Sequence, residues 1–413
     1  MEYDAIVVGA GPAGSTAARE LAARGLSVMM VDKAEFPRDK PCGGAVSVRC
    51  ADLLGLDLTP VIESTITDVF VTLKRRRGKG VEFLRSSPKA FAYMTQRSRL
   101  DALLAEKAVA AGAVFRQRES LKSVERCGGQ VTVRTSGNVY RGRTLVAADG
   151  ANGMTARMSG LAHPRDYQYG IAMEGNVTPG KGFPAKWKQA IGVDFGRIEG
   201  GYSWLFPKGD HVNIGIGGYE YVGPKLRDQL QRLVEFYGFD PAGLWGVRGH
   251  RLPQRRGTFA LADGNVLLVG DAAGILDPLT AEGISAAVHS AQIAAANIIR
   301  YLDGKTASLG RYTQELERHV LSDVEVARRL HDVFYLWPGA FVAIERLTPI
   351  LWRAMVDLFR GDATYVDLSH RLGPVWPVIK LVSHLTHTFP PLRRLARQPR
   401  PATEAAAGRI SKA

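Results

Sequence analysis

Tyr3-Asp4-Ala5-Ile6-Val7-Val8-Gly9-Ala10-Gly11-Pro12-Ala13-Gly14, with the apolar run 26–31 and Asp32 that follow, is the stretch that decides the fold. Ala5-Ile6-Val7-Val8 has the continuity of a strand covered on both faces, as in a parallel sheet. Residues 13–24 have helical composition, and residues 26–31 form a second strand ending at Asp32, 18 residues beyond Gly14. Strand, glycine turn, helix, strand and terminal acid is the arrangement that holds a dinucleotide. The glycines permit a tight turn, close approach of a pyrophosphate, and contact between helix and sheet. The helix start offers unpaired N–H groups to the phosphates. Gly9, Gly11, Pro12, Ala13 and Gly14 are therefore candidate cofactor contacts, with Asp32 placed to accept from ribose hydroxyls and Lys33 beside it.

A second element follows the apolar run 266–269. It reads Gly270-Asp271-Ala272-Ala273-Gly274 and continues through Pro278, Glu282, Gly283 and Ile284 into a helix predicted to reach residue 302. Two glycine turns on two helix starts suit the diphosphate, ribityl chain and isoalloxazine of FAD, with Asp271 on a ribityl hydroxyl. A chain that binds only NAD needs no such element. Arg97, at the start of a helix carrying Leu100, Asp101 and Leu104, is placed near the diphosphate. Ala148-Asp149-Gly150 ends a strand and turns back toward the cofactor.

The 413 residues predict two or three domains. With 46% hydrophobic and 23% charged residues, the composition excludes a disordered or fibrous protein. Three cysteines, Cys42, Cys50 and Cys127, make no disulfide framework, and neither they nor the nine histidines show metal-ligand spacing. A reducing, cytoplasmic setting without a metal is expected. The net charge of +14 favours acidic partners. Eight basic residues against one acidic, Glu404, fall between Arg371 and Ala413. No nucleic-acid motif accompanies them, so nucleic acid is not expected as a partner. The apolar run near the start leaves no targeting segment expected ahead of the fold. The longest uncharged stretch, 283–299, is too short and too polar to span a bilayer. Membrane contact is expected to be peripheral, on the inner face of the cell membrane.

These segments predict an α/β chain: a Rossmann-like FAD-binding domain (1–63, 92–165 and 258–304), an interleaved substrate domain with an antiparallel or mixed sheet (64–91 and 166–257), and a helical C-terminal region with a basic tail (305–413). A hairpin is predicted within 64–91, its turn Lys74-Arg75-Arg76-Arg77-Gly78-Lys79 read as a solvated tip. Further helices are predicted over 100–111 and 225–237, and strands near 113–116, 121–126, 130–135, 144–147 and 212–216.

Two more motifs narrow the reading. One is Lys40-Pro41-Cys42-Gly43-Gly44-Ala45. The other is Tyr202-Ser203-Trp204-Leu205-Phe206-Pro207, followed by Gly215-Ile216-Gly217-Gly218. With them the chain resembles flavoproteins built like p-hydroxybenzoate hydroxylase and, more narrowly, the geranylgeranyl reductase family, over about residues 3–300. Ala281-Glu282-Gly283 departs from the commoner Gly-Glu-Gly of that family. The resemblance implies FAD-dependent hydrogenation of isoprenoid carbon–carbon double bonds, on lipids, quinones, chlorophyll precursors or the diphosphate. The reductant would be NADPH, reduced ferredoxin or a quinol-linked donor. It places Cys42 beside the isoalloxazine, as proton donor or as a residue shaping substrate approach, with Gly43 and Gly44 allowing backbone to come close. On a strand, Tyr202, Trp204 and Phe206 share one face and would line an isoprenoid channel.

Two alternatives stand beside this reading: a flavin-dependent aromatic hydroxylase or halogenase on the same scaffold, though no W-x-W-x-I-P motif marks a halogenase, and a non-catalytic flavin- or lipid-binding protein. Beyond about residue 335, Trp337, Phe341, Trp352, Phe359, Trp376 and Phe389 lie among or before Arg371, Lys380, Arg393, Arg394, Arg397 and Arg400. This segment is expected to dock on an anionic membrane surface.

Overall fold

A computed structural model describes residues 2–73, 80–162, 166–180, 182–255, 257 and 259–389. The turn 74–79 and the tail cations Arg393, Arg394, Arg397 and Arg400 lie outside the described residues.

The opening strand, Glu2–Val8, is the centre of an eight-stranded sheet. Val28–Val31 and Val139–Ala147 flank it in parallel, and Val266–Leu268 adds in parallel beyond Val139–Ala147. Register brings Val8 opposite both Val31 and Ala147, and Ala147 opposite Leu268. Four turns therefore leave the sheet at one carboxyl edge, the usual ligand edge of an open parallel sheet. Helices Pro12–Ala22, Arg97–Ala110 and Ile284–Leu302 cover one face, burying Ala17, Leu21, Met30, Ala108, Ala291 and Ile298. On the other face Val131, Val133 and Tyr140 of an antiparallel meander pack on Ile6, Met29 and Val31.

A seven-stranded sheet runs Leu244–Arg255, Tyr167–Val177, Val212–Tyr219, Tyr202–Pro207, Ala190–Phe195, Asp68–Leu73, Val81–Ser86. Its pairs are antiparallel except Ala190–Phe195 with Asp68–Leu73. One face buries Leu205, Ile214 and Ile216 against Leu226, Leu230 and Leu233 of helix Leu226–Phe236. The hairpin is narrower than its predicted span: only Asp68–Leu73 and Val81–Ser86 pair with each other. Ile62–Ile66 instead joins Ala45–Ser47 and Ala92–Thr95 in a third, small sheet, because its last residue packs in a separate core with Phe91 and Met94.

The C-terminal region is helical through Thr388: Arg311–Leu316, a π turn at Glu317–Leu321, Ser322–Leu336, Pro338–Leu347, Ile350–Arg360, Tyr365–Arg371 and Val375–Thr388. Pro338 stands at the first helical position, where its missing N–H costs nothing. Thr364 and Asp367 form a reciprocal capping box. Among the described residues no helix is long and apolar enough to cross a membrane.

Candidate active site

One cavity of about 810 Å³ runs from the carboxyl edge of the parallel sheet to the C-terminal helices. Its first part is built by the glycine turns. Gly9 has a φ of +102°, and a Cβ there would lie 2.3 Å from Ala148 O; a Cβ on Gly14 would lie 1.8 Å from Gly9 O. These two glycines hold turn, strand and helix together, and Gly14 does not face the cavity. Gly11 differs: a Cβ there meets only Arg38 Nη2, at 3.6 Å. Its open side faces the cavity, ahead of a helix start that has no side-chain cap. Gly270, with a φ of +56°, also stands behind the wall, where Ala13 and Ala287 approach it. Pro12, Ala13, Lys33, Asp271, Gly283 and Ile284 all line the cavity.

Asp32 binds its own turn. Oδ2 accepts from Ala10 N at 2.8 Å and Oδ1 from Ala34 N at 2.8 Å, which orients the carboxylate at the strand end and leaves lone pairs for hydroxyl donors. Arg97 is committed to Asp101 through two 2.8 Å bonds. Arg38, held over the Phe36 ring, stands nearest Gly11 with Nη2, which is 2.9 Å from Asp101, while its Nη1 is buried and unpartnered among the described residues. Asp149 accepts from Met154 N, Thr155 N and Thr155 Oγ1 through Oδ2, while Oδ1 is buried without a partner among the described residues. A buried unpaired donor beside an open glycine and an uncapped helix start is what a diphosphate would satisfy. The residues present fit FAD.

The Cys42-Gly43-Gly44 segment lies further along the cavity. Cys42 N donates to Glu174 Oε1 at 2.7 Å, and Gly44 N points to Cys42 Sγ at 3.4 Å. Gly44 has a φ of +67°, and a Cβ would fall 2.1 Å from Thr95 O. Lys208 is buried behind the segment, where Nζ donates to Gly43 O at 2.6 Å and Thr95 O at 2.8 Å. Burial pulls its ammonium down to about 8, with Cys42, Glu174 and Glu63 opposing that fall. Burial pushes the Glu174 carboxyl up. His250 is half-buried near Lys40 and Asp271, and burial lowers it to about 4, so its imidazole is neutral.

Tyr202, Trp204 and Phe206 do share a face of their strand, and that face looks into the cavity while Ser203, Leu205 and Pro207 are buried. Trp204 Nε1 donates to Asn213 Oδ1 at 2.8 Å, and Tyr202 donates to Thr280 O. Gly43 must be glycine here, since a Cβ would sit 2.6 Å from the Phe206 ring. Val69, Val71, Ile191 and Val193 extend this apolar wall, and Phe334, Phe341, Val342 and Trp352 oppose it from the C-terminal helices. The expectation that Phe341, Trp352 and Phe359 are surface anchors is corrected by this packing: all three line the cavity, two of them against Phe91, at 5.1 Å for Trp352 and 6.1 Å for Phe359. The apolar side chains of these helices cover a chamber.

A family model described as an FAD binding domain matches residues 2–192. The chain is 30% identical over 345 residues to the menaquinone reductase of Mycolicibacterium smegmatis, covering 79% of this chain and 83% of that one. It is 31% identical over 356 residues to digeranylgeranylglycerophospholipid reductase 1 of Methanopyrus kandleri, covering 81% and 91%. The chain belongs to the geranylgeranyl reductase family of FAD-dependent oxidoreductases. Among solved structures it resembles a geranylgeranyl bacteriochlorophyll reductase-like protein of Thermoplasma acidophilum, with a TM-score of 0.68 and 23% identity over 80% of this chain and 88% of that one. It also resembles a flavin-dependent brominase, with a TM-score of 0.70 and 21% identity over 87% and 94%; both likenesses are of fold. Within a reductase of this family, Arg38, Glu174, Lys208 and His250 are the polar groups that motif reading passed over. Lys208 directly follows the Tyr202–Pro207 motif, and Arg38 precedes Cys42 by four residues. Glu174 and His250 carry no local signal.

Proposed function

We propose that this enzyme hydrogenates carbon–carbon double bonds in an isoprenoid chain carried by a lipid or quinone. The observation that carries the reading is one continuous cavity, in which the FAD cradle opens through Cys42-Gly43-Gly44 onto an apolar chamber faced by Tyr202, Trp204 and Phe206. FAD, when bound and reduced, supplies hydride. The apolar walls take up the chain and exclude water from an alkene that gains cationic character as it is protonated. The aromatic faces of Tyr202, Trp204 and Phe206 stabilise that charge. Lys208 and Glu174 fix the Cys42 segment at the junction of the two compartments. The reductant in this reading is NADPH or a reduced ferredoxin.

The chain's entry route is part of the proposal. Helix Pro338–Leu347 presents Phe341 and Val342 to the chamber, yet exposes Ile344 and Leu347, and Ile350 stands out at the start of the next helix. Leu347 is 83% exposed and Ile350 64%, with exposed Arg346 and Arg353 beside them. Val375, Val378 and Leu381 form a second exposed apolar row, with Lys380 among them. Cations beside apolar anchors suit an anionic membrane surface, which spares a long isoprenoid chain transfer through water. Leu347→Glu should weaken co-sedimentation with anionic vesicles; binding unchanged by this substitution and by high salt would reject the docking face. Mass spectrometry of lipids, quinones and pigments from a deletion strain tests the substrate class. Species heavier in unsaturation by steps of two hydrogens are expected, and oxygen-dependent turnover of an aromatic substrate instead would overturn the reading.

A further inference from the structure

Double-bond reduction needs a proton as well as a hydride, and one half-buried acid, Glu282 in the loop that leads into the second glycine element's helix, is placed for it. A second cavity, of about 60 Å³, lies behind the 277–283 loop. That is room for about two waters. Ser285, more than nine-tenths buried, lines it with an Oγ that has no hydrogen-bond partner among the described residues. Arg49 and Asp323 also line it, 3.7 Å apart. The unpartnered Ser285 hydroxyl and the Arg49 and Asp323 side chains give water polar partners in an otherwise largely apolar lining. Glu282 lines both this cavity and the large one, so it forms part of the partition between them. Ser47 Oγ donates to Glu282 Oε1 at 2.6 Å and holds the carboxyl in place.

We propose that Glu282 is the acid that protonates the alkene, and that water in the small cavity returns the proton. This rests on the isoprenoid reading above. One new C–H bond forms with the hydride supplied by reduced FAD, the other with the proton of the Glu282 carboxyl. Two electrons pass from the reduced cofactor to the alkene, the π bond is consumed, and a carboxylate is left at Glu282 until water recharges it. Water has a route onward: His289 lines the small cavity, and its ring centroid is 6.4 Å from that of His319, which is exposed. Burial, with Arg49 and His319 nearby, lowers His289 to about 4, which leaves a neutral imidazole able to pass a proton.

The electrostatics suit the role. Burial pushes the Glu282 carboxyl up to about 7; the charge of Asp277 adds to the rise, and the Ser47 bond and Arg49 oppose it. The other titratable groups around it are Cys50 on helix Val48–Leu54, Asp323 on Ser322–Leu336, Tyr365, whose hydroxyl donates to Asp277 Oδ2 at 2.8 Å, and Tyr202 across the loop. A donor must start protonated, so hydrogenation is highest below about pH 7 and falls as pH rises through that value.

The test uses full-length, FAD-loaded enzyme and the substitution Glu282→Gln, whose amide oxygen still accepts from Ser47. FAD content and reduction by dithionite should match wild type, while hydrogenation of a geranylgeranyl lipid falls about 10²-fold. Infrared difference spectra, recorded without substrate, should show a protonated carboxyl lost between about pH 6 and 8 in wild type and missing from Glu282→Gln. Asp277→Asn should move both the spectral midpoint and the activity midpoint to lower pH, which a purely structural glutamate would not show. Hydrogenation by Glu282→Gln within about threefold of wild type, or a carboxyl band lost between about pH 6 and 8 that is unchanged by the substitution, would overturn the proposal alone. A wild type that reduces no isoprenoid would overturn the substrate reading and alkene protonation with it, the infrared band still reporting whether Glu282 holds the proton.

Discussion

Lys208→Met isolates the cost and the use of a buried ammonium. Lys208 is 4% exposed and pulled from 10.5 to about 8 by burial. That depression corresponds to roughly 3.5 kcal/mol, at about 1.4 kcal/mol per unit. Above pH 8 the folded protein releases the proton while the unfolded chain keeps it until about 10.5, so this group makes stability rise with pH across that window. Between pH 7 and 10 the gain should be roughly 2–3 kcal/mol. Methionine has no such term. At pH 7 it relieves the buried charge, but leaves Gly43 O and Thr95 O without their donor, at about 1–3 kcal/mol each. The two effects nearly cancel at pH 7, so the variant should be about as stable as wild type there and fall behind it at pH 10. Urea denaturation of both FAD-saturated proteins at the two pH values reads the difference, since every other titrating group is common to both. Parallel pH dependence would refute the argument. Hydrogenation should fall with FAD retained, because the Cys42 segment has lost its pin.

Gly11→Val should leave the fold intact, since the space beside Gly11 is open, yet yield largely apo protein; stoichiometric FAD in that variant would misplace the diphosphate. Cys42→Ala should lower hydrogenation by less than about tenfold, against about 10² for loss of a proton donor, and a 10²-fold loss would make Cys42 the donor instead. Ala281 sits at a φ of +57°, which costs an L-residue about 1–2 kcal/mol, of which glycine's greater unfolded freedom takes back about 0.4–1. Ala281→Gly should therefore stabilise by roughly 0.5–1 kcal/mol in thermal unfolding, and a destabilised variant would contradict the strain.

What the sequence made legible was whatever chemistry is local. The 9–14 turn, Asp32 and the 284–302 helix are written in consecutive residues, and the alternation of Tyr202, Trp204 and Phe206 is a two-residue period that a strand must obey. Glu174 meets Cys42 across 132 positions because of sheet register, and no window along the chain contains that fact. Arg97 lines the cavity, where Asp101, one helical turn on, engages its Nε and Nη2; Arg38, which no motif marked, shares that carboxylate and keeps Nη1 unpartnered among the described residues. The aromatic residues of the C-terminal helices were legible as apolar faces. Whether such a face meets a bilayer or a chamber depends on which strands lie opposite, and helical period is blind to that. Ala281 is the converse case, a residue whose departure from the family pattern survives as backbone strain.

The insertion of Val266–Leu268 beside Val139–Ala147 has a consequence for synthesis. Until residues 262–268 emerge, the central sheet ends at an unpaired apolar edge, Leu145-Val146-Ala147. At roughly 5–20 residues per second, a ribosome leaves that edge open for on the order of ten seconds. Such an edge is a template for pairing with another chain. A fragment cut near residue 192, though it contains the first glycine turn, should aggregate rather than fold as a free-standing nucleotide module, and the nascent enzyme should depend on chaperones that shield strands during translation.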